Sequence, residues 1–127
     1  MSYDCYVNFK KNNEHVVFPQ KHELIGGTFA LGGNDEAWLN VTFNYHKSFV
    51  KAFENDEGLN LLIGMDLKPS LELLDKAIKN LGDEPPVDDY WAATDGNAKV
   101  ALVNLKSLGE LALEYFPDEE MVWEISY

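Results

Sequence analysis

The chain has 127 residues, a single cysteine and a formal net charge of −12, and nearly half of its residues are hydrophobic. This size and composition predict one folded domain, residues 1–127, and exclude global disorder and an internal disulfide. All ten basic residues are lysines. Without arginine and with this acidity, conventional DNA or RNA binding is excluded. Because no signal peptide or long apolar segment is present, we expect a cytoplasmic protein that does not enter a membrane.

The first third of the chain predicts strands and turns. Alternating apolar residues predict a strand over 2–10, and a second strand over 15–18 ends before Pro19. A short apolar run then lies between the pairs Gly26-Gly27 and Gly32-Gly33. These pairs fit no phosphate-binding loop, because the required spacing and the following lysine are missing. We interpret them as tight turns.

The segment 37–44 alternates in character and predicts a strand with two different faces. A continuous helix from Ala37 is the competing interpretation, but asparagine and β-branched residues disfavour it. The odd-numbered residues would face the core. The even-numbered face carries a carboxylate, an indole, two amides and a hydroxyl: Glu36, Trp38, Asn40, Thr42 and Asn44. A face that only contacts solvent does not need an indole and this set of hydrogen-bonding groups. We therefore predict that the face contacts a ligand or a partner.

Three helices and a closing strand are predicted in the rest of the chain. A helix begins near His46 and ends near Glu54, and apolar spacing of three and four predicts another over 67–81. Asp66 is its expected N-cap. The last helix begins at Thr94 or Asp95 and ends before Pro117, and alternation predicts a strand over 121–127.

Together these elements predict an α+β fold. The expected architecture is a small antiparallel or mixed sheet that includes both terminal strands and packs against about three helices. The terminal strands are expected to be neighbours in that sheet.

No catalytic or metal-binding constellation is evident in the sequence. Cys5 falls on the apolar face of its strand, where a thiol is usually a small hydrophobic residue. The three histidines follow no metal-ligand spacing, and we expect neither a metal nor a cofactor. One enzyme hypothesis stays open, with His46 as the reacting group and Glu36 or Asn44 orienting it.

The charge is concentrated in the second half of the chain. Residues 66–127 hold fourteen acids against five lysines, whereas residues 1–65 hold eight against five. The simpler interpretation of this charge is an acidic surface that contacts only solvent. The more specific interpretation is that the acids attract a basic protein partner. The residues 83–91 combine acids with aromatics of the kind that dominate interfaces. The candidate contacts in this segment are Asp83, Glu84, Asp88, Asp89, Tyr90 and Trp91.

A set of motifs resembles a group of small proteins common in phages and prophages. The motifs are the Asn40-x-Thr42-x-Asn44 strand, a middle amphipathic helix, and Tyr90-Trp91 followed by Gly96 to Lys99. They span roughly residues 24–113. The resemblance implies an origin in phage or mobile DNA and no mechanism. The end of the chain, with its Asp118-Glu119-Glu120 turn, departs from shorter members that finish in a Gly/Asp-rich tail.

Two function hypotheses of different class follow from these observations. The first is a non-catalytic phage accessory protein that counters a bacterial defence system by stoichiometric binding of a basic partner protein. The second is a sponge that sequesters a nucleotide signal near Trp38, Asn40 and Asn44. A shortage of positive charge opposes the second, although backbone amides can bind phosphate.

Overall fold

A sheet layer packed against a helical layer is the architecture of the described part of the chain, residues 2–22 and 34–127, in a computed structural model. The elements are β1 (Ser2–Phe9), β2 (Val17–His22), β3 (Asn34–Glu36), β4 (Trp38–Thr42), α1 (His46–Phe53), α2 (Leu67–Asn80), α3 (Asp95–Tyr115) and β5 (Met121–Ser126). Short 3-10 helices follow β4 and α1, at Phe43–Tyr45 and Gly58–Leu62. The α+β class and the helices predicted from the sequence are confirmed. Both glycine pairs lie outside the described residues.

The first and last strands lie side by side, as the sequence predicted. The three-stranded antiparallel sheet has the order β4-β1-β5. Cys5 in the central strand pairs with Leu39 on one side and with Ile125 on the other. The strands β2 and β3 form a separate two-stranded antiparallel sheet.

The core lies between the helices and one face of the three-stranded sheet. Odd-numbered residues of β1, β4 and β5 are buried there together with apolar residues of all three helices. Trp123 illustrates the contact: it is 1% exposed, and its Nε1 donates to the Ser70 hydroxyl of α2 at 2.7 Å. The even-numbered residues of the same strands therefore point away from the helices, onto what we call the outer face.

The second strand differs from its prediction because it continues through Pro19. It pairs with β3 only at Val17–Glu36 and His22–Asn34, with a register shift between them. No ladder hydrogen bond from Pro19 is needed within that irregular stretch, so proline is tolerated there.

The fourth strand ends earlier than predicted, and Thr42 is the reason. The Thr42 hydroxyl accepts the backbone N–H of Asn44 at 3.2 Å and so caps the 3-10 helix. The alternation of buried and half-buried residues consequently stops at Thr42, which is 1% exposed and presents no side-chain surface to a partner. Asn44 belongs to the 3-10 helix and not to a strand.

The two long helices begin where the sequence predicted, but only one uses its capping side chain. Asp66 occupies the N-cap position of α2 without a capping hydrogen bond, and its carboxylate pairs with Lys10 at 3.3 Å. Thr94 caps α3 by accepting the Asn97 N–H at 3.1 Å. Gly82 follows α2 with a φ of +73°, the left-handed conformation that favours glycine after a helix.

Candidate functional site

The residues predicted to form the contact surface lie in two separate places. Trp38 and Asn40 are half-buried on the outer face, as predicted. Asn44 lies beside Trp91, to whose backbone carbonyl its amide donates at 2.9 Å.

Three rings are stacked on the outer face, and we call them the aromatic row: His15, Tyr6 and Trp38. Tyr6 lies opposite Trp38 in the pairing of β1 with β4. Their ring centroids are 5.9 Å apart, with planes inclined by 11°. The other neighbour of Tyr6 is His15, at 4.1 Å and 12°. Offset parallel rings of this kind present flat apolar surface with polar edges.

Asp4 lies next to the aromatic row and is held in one orientation. Its Oδ1 accepts hydrogen bonds from Asn40 Nδ2 at 2.8 Å and from Trp38 Nε1 at 3.4 Å. Asn40 also donates to the Ser2 hydroxyl at 2.9 Å. The outer face therefore has the Asp4 carboxylate held by hydrogen bonds beside the Trp38 indole. The opposite face of this strand pair packs in the core.

The outer face is acidic around its aromatic row. Partial burial raises the pKa of the Tyr6 hydroxyl, and the carboxylates of Asp4, Glu36 and Glu124 raise it further. The strand pairing places two of these residues beside Tyr6: Glu124 lies opposite it on β5, and Asp4 precedes it by two residues on the same face of β1. A cation placed at this face would meet negative charge together with π-electron density.

Sequence reasoning missed Tyr6 and Asp4 as members of this surface. Both lie on the even-numbered face of β1, and the alternation over residues 2–10 shows that face. What the sequence did not show is that β1 pairs with β4 so that Tyr6 lies opposite Trp38.

Tyr90 and Trp91 have different environments. The Tyr90 hydroxyl accepts the Thr42 N–H at 2.9 Å, and its backbone carbonyl accepts a hydrogen bond from the Tyr45 hydroxyl. Tyr90 therefore anchors the segment between α2 and α3, which we call the linker (residues 81–92), to the end of β4. Trp91 is 63% exposed and leaves a large apolar ring in solvent.

The acids of the linker, residues 81–92, also divide into two kinds. Glu84 Oε2 accepts the Gly96 N–H at 3.1 Å, and Asp89 Oδ1 accepts the Trp91 N–H at 3.1 Å. Asp83 and Asp88 are exposed and make no hydrogen bond or ion pair within residues 2–22 and 34–127. The carboxylates most available to a partner are therefore those of Asp83 and Asp88.

His46 packs in an aromatic cluster on the inner side of the sheet. Its Nδ1 is hydrogen-bonded to the Tyr3 hydroxyl at 2.9 Å, and its ring stacks on Phe43 at 5.1 Å. Glu36, by contrast, lies near Tyr6 on the outer face. The arrangement gives His46 a hydrogen bond to Tyr3 and places Glu36 on the other face of the sheet. Asn44, the alternative orienting residue, donates its amide to the Trp91 carbonyl.

The buried Tyr3 makes stability sensitive to alkaline pH. Burial, Tyr127 and Cys5 raise the pKa of Tyr3 to about 12, from an unfolded value of about 10. A raised pKa means that stability is complete below pH 10 and is lost as the pH rises toward 12. Denaturant titrations should show a loss of about 1 kcal/mol from Tyr3 near pH 11. Tyr3→Phe should reduce that loss, and an unchanged pH slope in the variant would contradict the assignment.

The sole thiol of the chain is not accessible to solvent. Cys5 is fully buried, and burial raises the pKa of its thiol. Among residues 2–22 and 34–127, no cluster of three His, Cys, Asp or Glu side chains is arranged to hold a metal ion. None of the helices there has the length and apolar character needed to cross a bilayer. A cavity of about 240 Å³ lies between the start of α2 and the turn before β5, away from the aromatic row.

Comparison of the chain with protein-family models, curated protein sequences and solved structures finds no match.

Proposed function

We propose that the chain is a non-catalytic binding protein that stoichiometrically occupies a basic surface of a partner protein. Its resemblance to small phage and prophage proteins supports a role as an accessory of mobile DNA that counters a host defence component. The net charge of −12 supports a basic partner, because opposite charge accelerates encounter and suppresses wrong partners.

The observation that carries this proposal is the outer face of the sheet. The opposite face of the same sheet packs in the core. Tyr6 and Trp38 therefore stack on strands that the core holds in place. Tyrosine and tryptophan dominate interface energetics because they bury large areas at low entropic cost. The surrounding Asp4, Glu36 and Glu124 carboxylates then favour a partner with positive charge.

The linker before α3 offers a second acidic contact. Asp83, Asp88 and the exposed ring of Trp91 lie in one short segment. Their carboxylates add to the negative field of the 66–127 half, which steers a basic protein before contact is made.

A nucleotide sponge is supported less well by the outer face. Phosphate groups would have to approach Trp38 past the carboxylates of Asp4, Glu36 and Glu124, which repel them. A thermal-shift titration with cyclic and NAD-derived nucleotides tests this alternative, because ligand binding raises apparent stability by about 2.7 kcal/mol at a hundredfold excess over Kd. A saturable increase in Tm would favour the sponge.

The proposal predicts salt-sensitive capture of a host protein that depends on both surfaces. The immobilised chain should capture its partner at about 0.05 M salt and lose much of it at about 0.5 M. Trp38→Thr retains a strand-forming residue and should weaken capture, as should the double variant Asp83→Lys/Asp88→Lys. The partner can then be purified and the affinities measured directly.

A matched control separates these surfaces from net charge. Glu72 and Glu110 are exposed on α2 and α3 and make no ion pair within the described residues. Glu72→Lys/Glu110→Lys changes the total charge by the same amount as the linker variant, so capture should be largely retained. The proposed function would be overturned if the control variant lost as much partner capture as the linker variant. It would also be overturned if capture changed neither with Trp38→Thr nor with salt.

A further inference from the structure

We propose that the outer face holds a receptor for a guanidinium group, formed by the aromatic row and Asp4. Its occupant would be an arginine side chain on the basic partner, so the inference rests on the proposed function. It specifies which cation is recognised and by which atoms.

The stacking surface for the cation comes from Trp38, at the end of the aromatic row. Tyr6 lies between two other rings, with His15 at 4.1 Å on one side and Trp38 at 5.9 Å on the other, so it supports the indole rather than offering a free face. The Trp38 side chain is only half-buried. A guanidinium is planar and stacks on an indole, whereas an ammonium is a compact and strongly hydrated charge. The indole face therefore favours arginine over lysine.

The hydrogen-bond acceptor comes from Asp4. Asn40 and Trp38 both donate to its Oδ1, which fixes the carboxylate beside the indole. Within the described residues, Oδ2 of Asp4 has no hydrogen-bond partner and remains available to N–H donors. A guanidinium stacked on Trp38 could therefore donate to Oδ2 with charge-assisted geometry.

The charge of the outer face agrees with this occupant. Five ion pairs form within residues 2–22 and 34–127, and none of them involves Asp4 or Glu124. These carboxylates are thus not neutralised by those lysines, and both lie near Tyr6. Charge complementarity points to a cationic side chain and opposes a phosphate or an acidic peptide.

A peptide titration followed by NMR tests the receptor. The probe is an acetylated, amidated Gly-Arg-Gly-Arg-Gly peptide, compared with the same peptide carrying lysine or neutral citrulline. The three tryptophans give three indole N–H signals, assigned with Trp38→Thr and Trp91→Phe. Trp123 is buried and Trp91 exposed, so each is an internal control.

We expect saturable movement of the Trp38 signal with a Kd on the order of 1 mM for the arginine peptide. The lysine peptide should bind at least about threefold more weakly, and citrulline should cause no saturable shift. Asp4→Asn should weaken arginine binding about tenfold while the fold and the Trp123 signal are retained.

Two results would overturn the receptor: equal shifts with lysine and arginine, or shifts at Trp91 without shifts at Trp38. Failure here is distinguishable from failure of the proposed function. If Asp4→Asn captures the host partner as well as wild type while the linker variant does not, the receptor is wrong and the binding function stands. If the arginine peptide binds at Trp38 but no salt-sensitive partner is captured, the receptor stands and the function is wrong.

Discussion

Replacing Gly96 by alanine is expected to destabilise the protein by about 3 kcal/mol, although alanine is the better helix former. A Cβ at this position would lie 2.6 Å from the carbonyl carbon of Pro85 and 2.7 Å from the carbonyl oxygen of Glu84. Both are backbone atoms, so the linker must move as a unit. The glycine is required because the chain passes directly over the first turn of α3.

The same substitution at Gly109 provides the control for Gly96→Ala. Gly109 is also in α3, but its nearest obstacle is the Leu71 Cδ2 at 2.9 Å, the end of a flexible side chain. Rotation of Leu71 relieves that contact, and Leu67 Cδ1 and Trp123 Cζ2, both at 3.3 Å, need to move by only a few tenths of an ångström. The helix propensity of alanine offsets part of this cost. We expect a net change within about 1 kcal/mol. Unfolding of both variants in guanidinium chloride measures their free energies of unfolding. Equal losses of stability in the two variants would contradict the backbone clash at Gly96.

Replacing Asn97 by alanine is the second change with a large expected effect, about 3 kcal/mol. The Asn97 side chain is 3% exposed and connects α3 to three points of the linker. Its Oδ1 accepts the Val87 N–H at 2.9 Å, and its Nδ2 donates to the carbonyls of Asp89 at 2.9 Å and Ala92 at 3.0 Å. Removing the amide leaves backbone groups without their partners, which costs more than a hydrogen bond contributes net.

Asn104 is a matched control because it is also a buried asparagine of α3. It is 2% exposed, yet its Nδ2 has no hydrogen-bond partner within the described structure. Truncation removes an unsatisfied polar group along with some packing, so Asn104→Ala should cost about 1 kcal/mol or less. Denaturant unfolding measures both losses, and limited proteolysis should show faster cleavage within 83–92 only for Asn97→Ala. A larger loss at Asn104 would show that packing and not hydrogen bonding governs these positions.

Much of the fold was predictable because the relevant signals are local. Apolar spacing located α2 and α3, and period-two alternation located β1 and β5. The errors occur where a tertiary contact overrides the local pattern. Thr42 is buried instead of half-exposed because its hydroxyl caps the following 3-10 helix and its N–H donates to Tyr90.

The candidate site was only partly predictable because it joins distant parts of the chain. Trp38 and Asn40 were identified from one strand, but their neighbours Asp4 and Tyr6 become visible only once the strand pairing is known. The linker acids looked equivalent in the sequence, whereas Glu84 and Asp89 bond to the backbone and Asp83 and Asp88 do not. Composition shows charge and does not show which carboxylates are already engaged.

The residues from Tyr90 to Lys99 hold the linker in place. Tyr90 anchors the linker to β4, Gly96 allows its close approach to α3, and Asn97 bonds to it three times. Lys99 adds a hydrogen bond to the carbonyl of Gly82. These residues therefore have a structural role in this chain.

The position of β1 in the centre of the sheet also has a consequence for the order of events during synthesis. Cys5 is made early, but its neighbour Ile125 emerges only after all three helices. Such distant pairings close slowly, because a long loop must be ordered first. Glu124 is also on β5 and lies opposite Tyr6 only after β5 has paired with β1. We therefore expect the complete acidic surface, with Glu124 beside Tyr6, to form only at the final folding step.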